Sequence, residues 1–388
     1  MKILFTVEFF YPSVGGTQEV VKQISTGLAK RGHDVTIATT KLKTRRDKYF
    51  NGVKIEEFSI TGNSVKGIKG EKEKYKDYLL HNQFDLMINY AAQQWATDLV
   101  FPLLNSIHYK KVFIPCGFSK LFTPAYKDYY DDIPSKLSLY DRLIFHSNNY
   151  RDINFARDHG FQNIIVIPNG ASSLEFSGDK RYFREKYRIE QNTPVLLTVG
   201  NHTWMKGHQF VIRVFQQLKL KKGILIIIGK ALNFKGCLPL CLLESYWSNI
   251  SSKNNKRILV LNPPRDEVVQ AYYSADLFLF ASKIEYAPLV LLESMASKTP
   301  FITLATGNAE EIIADSKSGI LAPTSQDNLG YSYGDIKSFS QITQELLMDK
   351  ETRIKMGEAG YLAWQNKYTW ENIVVQYENE FEKILNSK

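Results

Sequence analysis

The reading of this chain turns on Leu277-Phe-Leu-Phe-Ala281-Ser282-Lys-Ile-Glu285-Tyr-Ala-Pro288-Leu289-Val290-Leu-Leu-Glu293-Ser-Met-Ala296. Leu277–Ala281 is a short apolar run of the kind that forms a fully buried strand, and Leu289–Ala296 reads as a helix. Strand, loop and helix in that order predict a βα unit, and open α/β sheets bind ligands outside the carboxyl ends of their strands. Pro288 suits the start of a helix, whose first N–H groups and dipole favour an anion. Glu285 falls in the loop and Glu293 in the early turns of the helix. Glutamates at this spacing also occur on solvated helix faces, so the neighbouring pattern has to decide. Beside a phosphate cradle, two hydroxyl-accepting carboxylates suit a nucleotide-sugar, with hydroxyls at both ends and a diphosphate between them.

Further strand–helix units flank this one. Val195–Gly200, Ile224–Ile228, Ile258–Leu261 and Phe301–Leu304 read as strands, with helices at Asp266–Ser274, Leu289–Ser297 and Glu310–Asp315. An earlier series opens with Ile3–Val7, a helix from Thr17 to about Lys30 and the strand Val35–Ala38. It continues with Leu86–Asn89, Val112–Ile114, Leu143–His146 and Ile164–Ile167. Alternation of this kind predicts parallel, helix-covered sheets. The pattern stops near Asn169-Gly170, and the polar stretch 171–192 reads as a junction. The chain therefore divides into an α/β domain at 1–175, a second at 176–367, and an amphipathic terminal helix within 368–388. Two such domains imply a ligand cleft between them.

The bulk properties agree with a two-domain globular protein. The 388 residues exceed what one core usually serves. No apolar run reaches the roughly 20 residues of a membrane span, and the start, Met1 to Glu8, is too soon acidic for a signal peptide. Cys116, Cys237 and Cys241 read as reduced cytoplasmic thiols without metal-ligand spacing. The net charge of +9 is concentrated between Lys41 and Lys76, with eleven basic and five acidic residues. That segment reads first as a set of solvated loops and second as a contact for an anionic membrane surface, on the inner face of the membrane. Nucleic acid is not expected, because no nucleic-acid module accompanies the charge.

Smaller constellations sit at other strand ends. Gly15-Gly16 lies between the first strand and first helix, where glycine allows close ligand approach. The dinucleotide fingerprint is absent. Gly200-Asn201-His202-Thr203-Trp-Met-Lys206-Gly207 follows the first strand of the second series. Lys206 there can neutralise phosphate, with Asn201, His202 and Thr203 as further donors. Thr306-Gly307-Asn308 follows the strand at 301–304. No Asp-x-Asp, Walker loop, His-Glu-x-x-His or nucleophile elbow occurs, so neither a catalytic metal nor a resident cofactor is expected.

In order and spacing these pieces resemble the family 4 retaining glycosyltransferases of GT-B fold, two facing Rossmann-like domains with parallel sheets and a cleft between them. The resemblance covers Gly15-Gly16-Thr-Gln-Glu, Ala29-Lys-Arg-Gly-His-Asp-Val-Thr, Ile167-Pro-Asn-Gly, Val199-Gly200 to Lys206-Gly207, Tyr273-Ser-Ala-Asp-Leu-Phe, the Glu285-x7-Glu293 pair and Gly307 to Glu311. It implies that Glu285 binds the transferred sugar, Glu293 the donor ribose, and Lys206 the departing diphosphate with the N–H groups of Leu289 and Val290. Gly15 and Gly16 would close over the donor phosphate, and the terminal helix would pack back on the first domain. The implied activity moves a sugar from a UDP- or GDP-type donor to a glycan or lipid-linked acceptor, as in cell-surface polysaccharide, lipopolysaccharide or capsule synthesis. Two residues depart from the pattern. Asn201 stands where the family has Arg, and Cys116 stands where it often has His, which makes Cys116 the acceptor-side candidate. These departures keep open a catalytically degenerate partner subunit, or another enzyme on the same scaffold such as an epimerase or phosphorylase.

Overall fold

The computed structural model describes residues 1–177, 182–231, 236–251 and 255–387. The chain forms two units, Met1–Asn169 with Trp370–Lys388, and Gly170–Thr369.

The first unit is built on β1 (Lys2–Thr6), β2 (Asp34–Thr40), β3 (Tyr49–Phe50), β4 (Val53–Phe58), the hairpin β5 (Ile60–Asn63) and β6 (Gly67–Gly70), β7 (Leu86–Tyr90), β8 (Lys110–Ile114), β9 (Arg142–Phe145) and β10 (Ile164–Val166). Its main sheet has the order β10-β9-β8-β7-β1-β2-β4-β3. All neighbours pair in parallel except β3 with β4. The basic segment 41–76 is thus not a set of loops. It supplies β3 to β6 and the start of a helix, Lys72–His81. Lys54, Glu56 and Glu57 conceal β4 in the sequence, yet its Val53, Ile55 and Phe58 are buried. Arg45 is also a structural residue: its guanidinium donates to the carbonyls of Phe10, Tyr11 and Thr40 at 2.7–3.0 Å and to Glu57.

Helix Gly16–Lys30 packs against the terminal helix Trp370–Asn386 within this unit. Gly27 makes the contact close, since a Cβ there would lie 2.5 Å from Val374. At the end of the same contact Glu378 accepts from Arg31 and from His33 at 2.7 Å. Burying both faces of the parallel sheet requires such helices, because its central strands β1 and β7 are buried on both sides.

The second unit contains β11 (Val195–Val199), β12 (Gly223–Ile228), β13 (Lys256–Leu261), β14 (Leu277–Phe280), β15 (Phe301–Thr303), β16 (Gly319–Leu321) and the hairpin β17 (Thr324–Gln326) with β18 (Ser332–Gly334). The six-stranded sheet is entirely parallel in the order β13-β12-β11-β14-β15-β16. Apolar clusters line both of its faces. Residues 171–192 belong to this unit rather than to a linker, for Phe176, Phe183 and Ile189 are in its core. Positions 178–181 of that stretch lie outside the described residues. Helix Leu238–Ser251 presents Leu242, Leu243, Tyr246, Trp247 and Ile250 to solvent. Among the described residues no helix is long and apolar enough to cross a membrane.

Candidate active site

In the second unit the reversal of strand order on either side of β11 and β14 brings their carboxyl ends together, the position where ligands bind such sheets. The loop after β11 carries Lys206 and the loop after β14 carries Glu285. Backbone bonds join the two: Lys283 N–H donates to Met205 O at 2.7 Å, and Ser282 Oγ donates to the same carbonyl at 3.1 Å. Gly207 makes this approach possible. Its φ is +70°, and a Cβ there would lie 2.0 Å from Ala281 O. Gly307 performs the same service for the loop after β15, where a Cβ at φ +57° would lie 2.3 Å from Tyr286 O.

Within this frame Lys206 Nζ is ion-paired with Glu285, and Ser282 Oγ donates to the same carboxylate oxygen at 2.7 Å. Both partners are partly exposed, at 29% and 14% of their side chains, so a ligand can reach the pair. Glu293, in the helix Leu289–Ala296, is buried and accepts from Arg265 Nη2 at 2.5 Å; the same guanidinium donates to Glu175 at 2.8 Å. Burial opposes the charge on Arg265, but Glu293 and Glu175 outweigh it and hold the guanidinium above its ordinary pKa. No side chain caps helix Leu289–Ala296, so the N–H groups of Leu289 and Val290 belong to an uncapped first turn. The structure thus places Lys206 on Glu285, and Glu293 on a residue the sequence reading passed over. Arg265 follows Pro263-Pro264 after β13, and its place at the carboxyl end of a strand was the available signal.

Asn201 is half-buried in the turn after β11, with its carbonyl accepting from Thr203 N–H at 2.7 Å. His202 does not present its ring as a phosphate donor. It is buried, with Nδ1 at 3.2 Å from His208 Nδ1 and 3.7 Å from Cys237 Sγ. Burial lowers the His208 pKa, against the pull of Cys237. The hydrogen bond from Cys241 depresses the Cys237 thiol, with desolvation opposing. A cavity of about 270 Å³ lies beside this cluster, lined by Thr203, Gly207, His208, Cys237 and Lys283 among others, and by neither glutamate of the pair.

In the first unit Gly15 and Gly16 open helix Gly16–Lys30, which no side chain caps. Gly15 has an extended φ of 175°, so positive φ is not why glycine stands there. A Cβ on Gly16 would meet nothing within 4 Å, and the position is open for close approach. Thr17 Oγ1 lies 3.8 Å from Cys116 Sγ, bringing this turn beside the end of β8. Burial pushes the Cys116 thiol up to about 11, so it stays protonated. His146, after β9, is the buried histidine of this edge. Its Nδ1 donates to Ile167 O at 2.8 Å and its Nε2 accepts from Tyr90 Oη at 2.9 Å. Burial lowers its pKa to about 4. Glu8, after β1, was also passed over; burial and then Asp98 raise its carboxyl pKa.

Two α/β units of this topology define a GT-B fold, and the solved structures similar to this chain share it. Residues 179–363 match the family described as glycosyl transferases group 1. The N-acetyl-alpha-D-glucosaminyl L-malate synthase of Bacillus anthracis is 24% identical over 397 residues, covering 97% of this chain and 96% of that protein. The sucrose-phosphate synthase of Thermosynechococcus elongatus superposes with a TM-score of 0.79 at 18% identity, over 100% of this chain and 99% of that one. Anabaena HepE, solved in complex with UDP, superposes with a TM-score of 0.74 at 15% identity, over 99% of this chain and 100% of that one.

Proposed function

We propose that this chain is a retaining glycosyltransferase of family 4 type. It transfers a sugar from a UDP- or GDP-sugar to a hydroxyl of a glycan or lipid-linked glycan, in the synthesis of a cell-surface polysaccharide. The observation that carries this reading is the Lys206–Glu285–Ser282 constellation beside the uncapped helix that carries Glu293. A nucleoside diphosphate leaves readily when its growing charge meets fixed donors. Lys206 and the N–H groups of Leu289 and Val290 are such donors, so the transfer needs no metal at the diphosphate. When the donor binds, Lys206 exchanges its contact with Glu285 for phosphate oxygen, and Glu285 turns to the sugar hydroxyls. Glu293 likewise exchanges Arg265 for the ribose hydroxyls. Arg265 then supplies a guanidinium where Asn201 gives only a neutral group.

The acceptor hydroxyl attacks the anomeric carbon from the face of the departing phosphate. That phosphate oxygen takes the proton, and configuration is retained. The crevice of the first unit, with Gly16, Cys116 and Glu8, is assigned to the acceptor. UDP in the Anabaena structure supports a nucleotide donor. The exposed apolar side of helix Leu238–Ser251 and the charge of 41–76 support an acceptor presented at the inner face of a membrane.

Saturation-transfer NMR against a panel of nucleotide-sugars, with Glu293→Ala as control, identifies the donor. NMR of the product with that donor then shows the anomeric configuration. An inverted product, or no donor selected over the variant, would overturn the reading.

A further inference from the structure

We propose that His202, His208, Cys237 and Cys241 form a structural zinc site that fastens the Lys206 loop to helix Leu238–Ser251. The two halves of the cluster are 35 residues apart in sequence from His202 to Cys237. They meet because β11 and β12 are parallel neighbours, so the segments leaving their carboxyl ends run side by side. His202 N–H donates to Lys230 O at 3.0 Å across that gap. Cys237 and Cys241 stand one helical turn apart, with Cys241 N–H donating to Cys237 O at 3.0 Å. The four ligand atoms lie within 4.8 Å of one another, and all four residues are buried.

The spacings among His202, His208 and Cys237 are those of three corners of a tetrahedron around zinc, and Cys241 Sγ lies within 4.8 Å of all three as the fourth. Bonds of about 2.05 Å to nitrogen and about 2.3 Å to sulfur give edges of about 3.3 Å between nitrogens and about 3.6 Å between nitrogen and sulfur. The two Nδ1 atoms are 3.2 Å apart, and Cys237 Sγ lies 3.7 and 3.6 Å from them. Two thiolates and two imidazoles are the borderline-soft set that zinc takes in closed sites. Without an ion this arrangement is hard to explain. Two imidazoles would have to share one proton between Nδ1 atoms only 3.2 Å apart. Burying four polar groups in this way is reasonable when a metal bonds them all. The neighbouring cavity, lined by His208 and Cys237, gives an ion access.

Four protein ligands leave no open position, so the ion takes no part in chemistry. Its effect is on placement. His202 and His208 flank Lys206, so a single bond centre fixes both ends of the turn that carries it. The site is independent of any sugar transfer, and its test reads metal rather than activity.

The full chain is purified without chelator and its metal content measured. The metal is then removed under reducing conditions and the protein titrated with Co²⁺ while visible absorption is recorded. Stoichiometric zinc is expected, together with intense tetrahedral d–d bands and a thiolate-to-cobalt charge-transfer band that Zn²⁺ abolishes. Cys241→Ser should weaken the charge-transfer band and Cys237→Ser should do the same, with Tm falling in each. The wild-type titration decides even if a variant fails to fold. A chain that holds no metal and gives no cobalt spectrum with its thiols reduced would overturn the proposal. So would a Cys237–Cys241 disulfide in the protein as purified without reductant.

Discussion

The carboxyl edges of the two sheets solve their local problems in opposite ways. In the second unit the residues with positive φ at the site are glycines, Gly207 and Gly307, and the side chains are ion-paired: Lys206 with Glu285, Arg265 with Glu293. In the first unit the positive φ values at the strand ends fall on Ala91, Gln93, Cys116 and Phe118 as well as Gly117, and burial keeps the Cys116 thiol and the His146 imidazole uncharged. Non-glycine residues held in that region cost on the order of 1–3 kcal/mol each and persist where surrounding contacts over-determine them. One edge is therefore organised by ion pairs on a relaxed backbone, and the other by backbone shape around an uncharged thiol and imidazole. A donor diphosphate requires the first kind of edge. An uncharged acceptor hydroxyl is served by the second.

The largest effect should come from removing the charge that defines the second edge. Lys206→Ala is expected to lower kcat by ~100- to 1,000-fold, the usual loss when one preorganised donor to developing charge is deleted. Because Lys206 is partly exposed, the fold should survive, which circular dichroism can verify. Steady-state kinetics showing less than a fivefold loss would mean that the helix N–H groups alone meet the diphosphate.

How far the sequence foretold this edge depends on the distance between partners. Glu285 and Glu293 were legible because one loop and one helix carry both, so spacing alone sets their relation. Lys206 was legible from a glycine-flanked turn after a strand. Arg265 was not, since it reaches Glu293 only through the packing of one helix on another, which leaves no periodic trace. The Cys and His residues were each visible as residues, but the pairing of β11 with β12 brings them together. His202 was consequently read as a phosphate donor. In the first unit the charged residues of β4 hid that strand, since alternation is weak where Glu56 and Glu57 are adjacent. Backbone strain at Ala91 and Cys116 has no sequence signature at all.

Protonation offers the next test, because burial lowers the pKa of a histidine at the first edge. His146 is neutral in the folded chain, with its pKa lowered from 6.5 to about 4 by burial. Between those values the unfolded chain binds a proton that the folded chain refuses. The stabilisation is therefore complete above about pH 6.5 and is lost as pH falls towards 4, amounting to about 3 kcal/mol. Urea unfolding followed between pH 7 and 4 should show this decline, and His146→Gln should flatten it. Parallel slopes for the two proteins would move the titration to another group.

A smaller effect is expected at Arg265, where the charge is shared between two carboxylates. If Arg265 supplies the guanidinium that Asn201 lacks, Arg265→Ala should raise the KM for the nucleotide-sugar by ~10- to 100-fold, the worth of one charged hydrogen bond. The change in kcat should be smaller. Restoration by Asn201→Arg in the Arg265→Ala background would sharpen the point, since it places the family's residue in its usual turn. A KM unchanged by Arg265→Ala would confine that residue to holding Glu293 before the donor arrives.

The smallest effect probes the strained edge directly. Ala91 sits at φ +72° after β7. Its backbone is fixed on both sides: its N–H donates to Ile114 O at 2.8 Å, and its carbonyl accepts from Gln94 Nε2 at 3.0 Å and Thr97 Oγ1 at 2.6 Å. Those bonds impose the left-handed conformation on a residue whose Cβ opposes it. Ala91→Gly removes the conflict without touching a bond, at the cost of a more flexible unfolded chain. The strain relieved should exceed that cost by about 1 kcal/mol, which raises Tm by about 2–4 °C in a unit of this size. A fall in Tm would show that the methyl group packs well where it is and that the first edge stores no strain at this position. The contrast with the glycine-relaxed second edge would then rest on Gln93, Cys116 and Phe118.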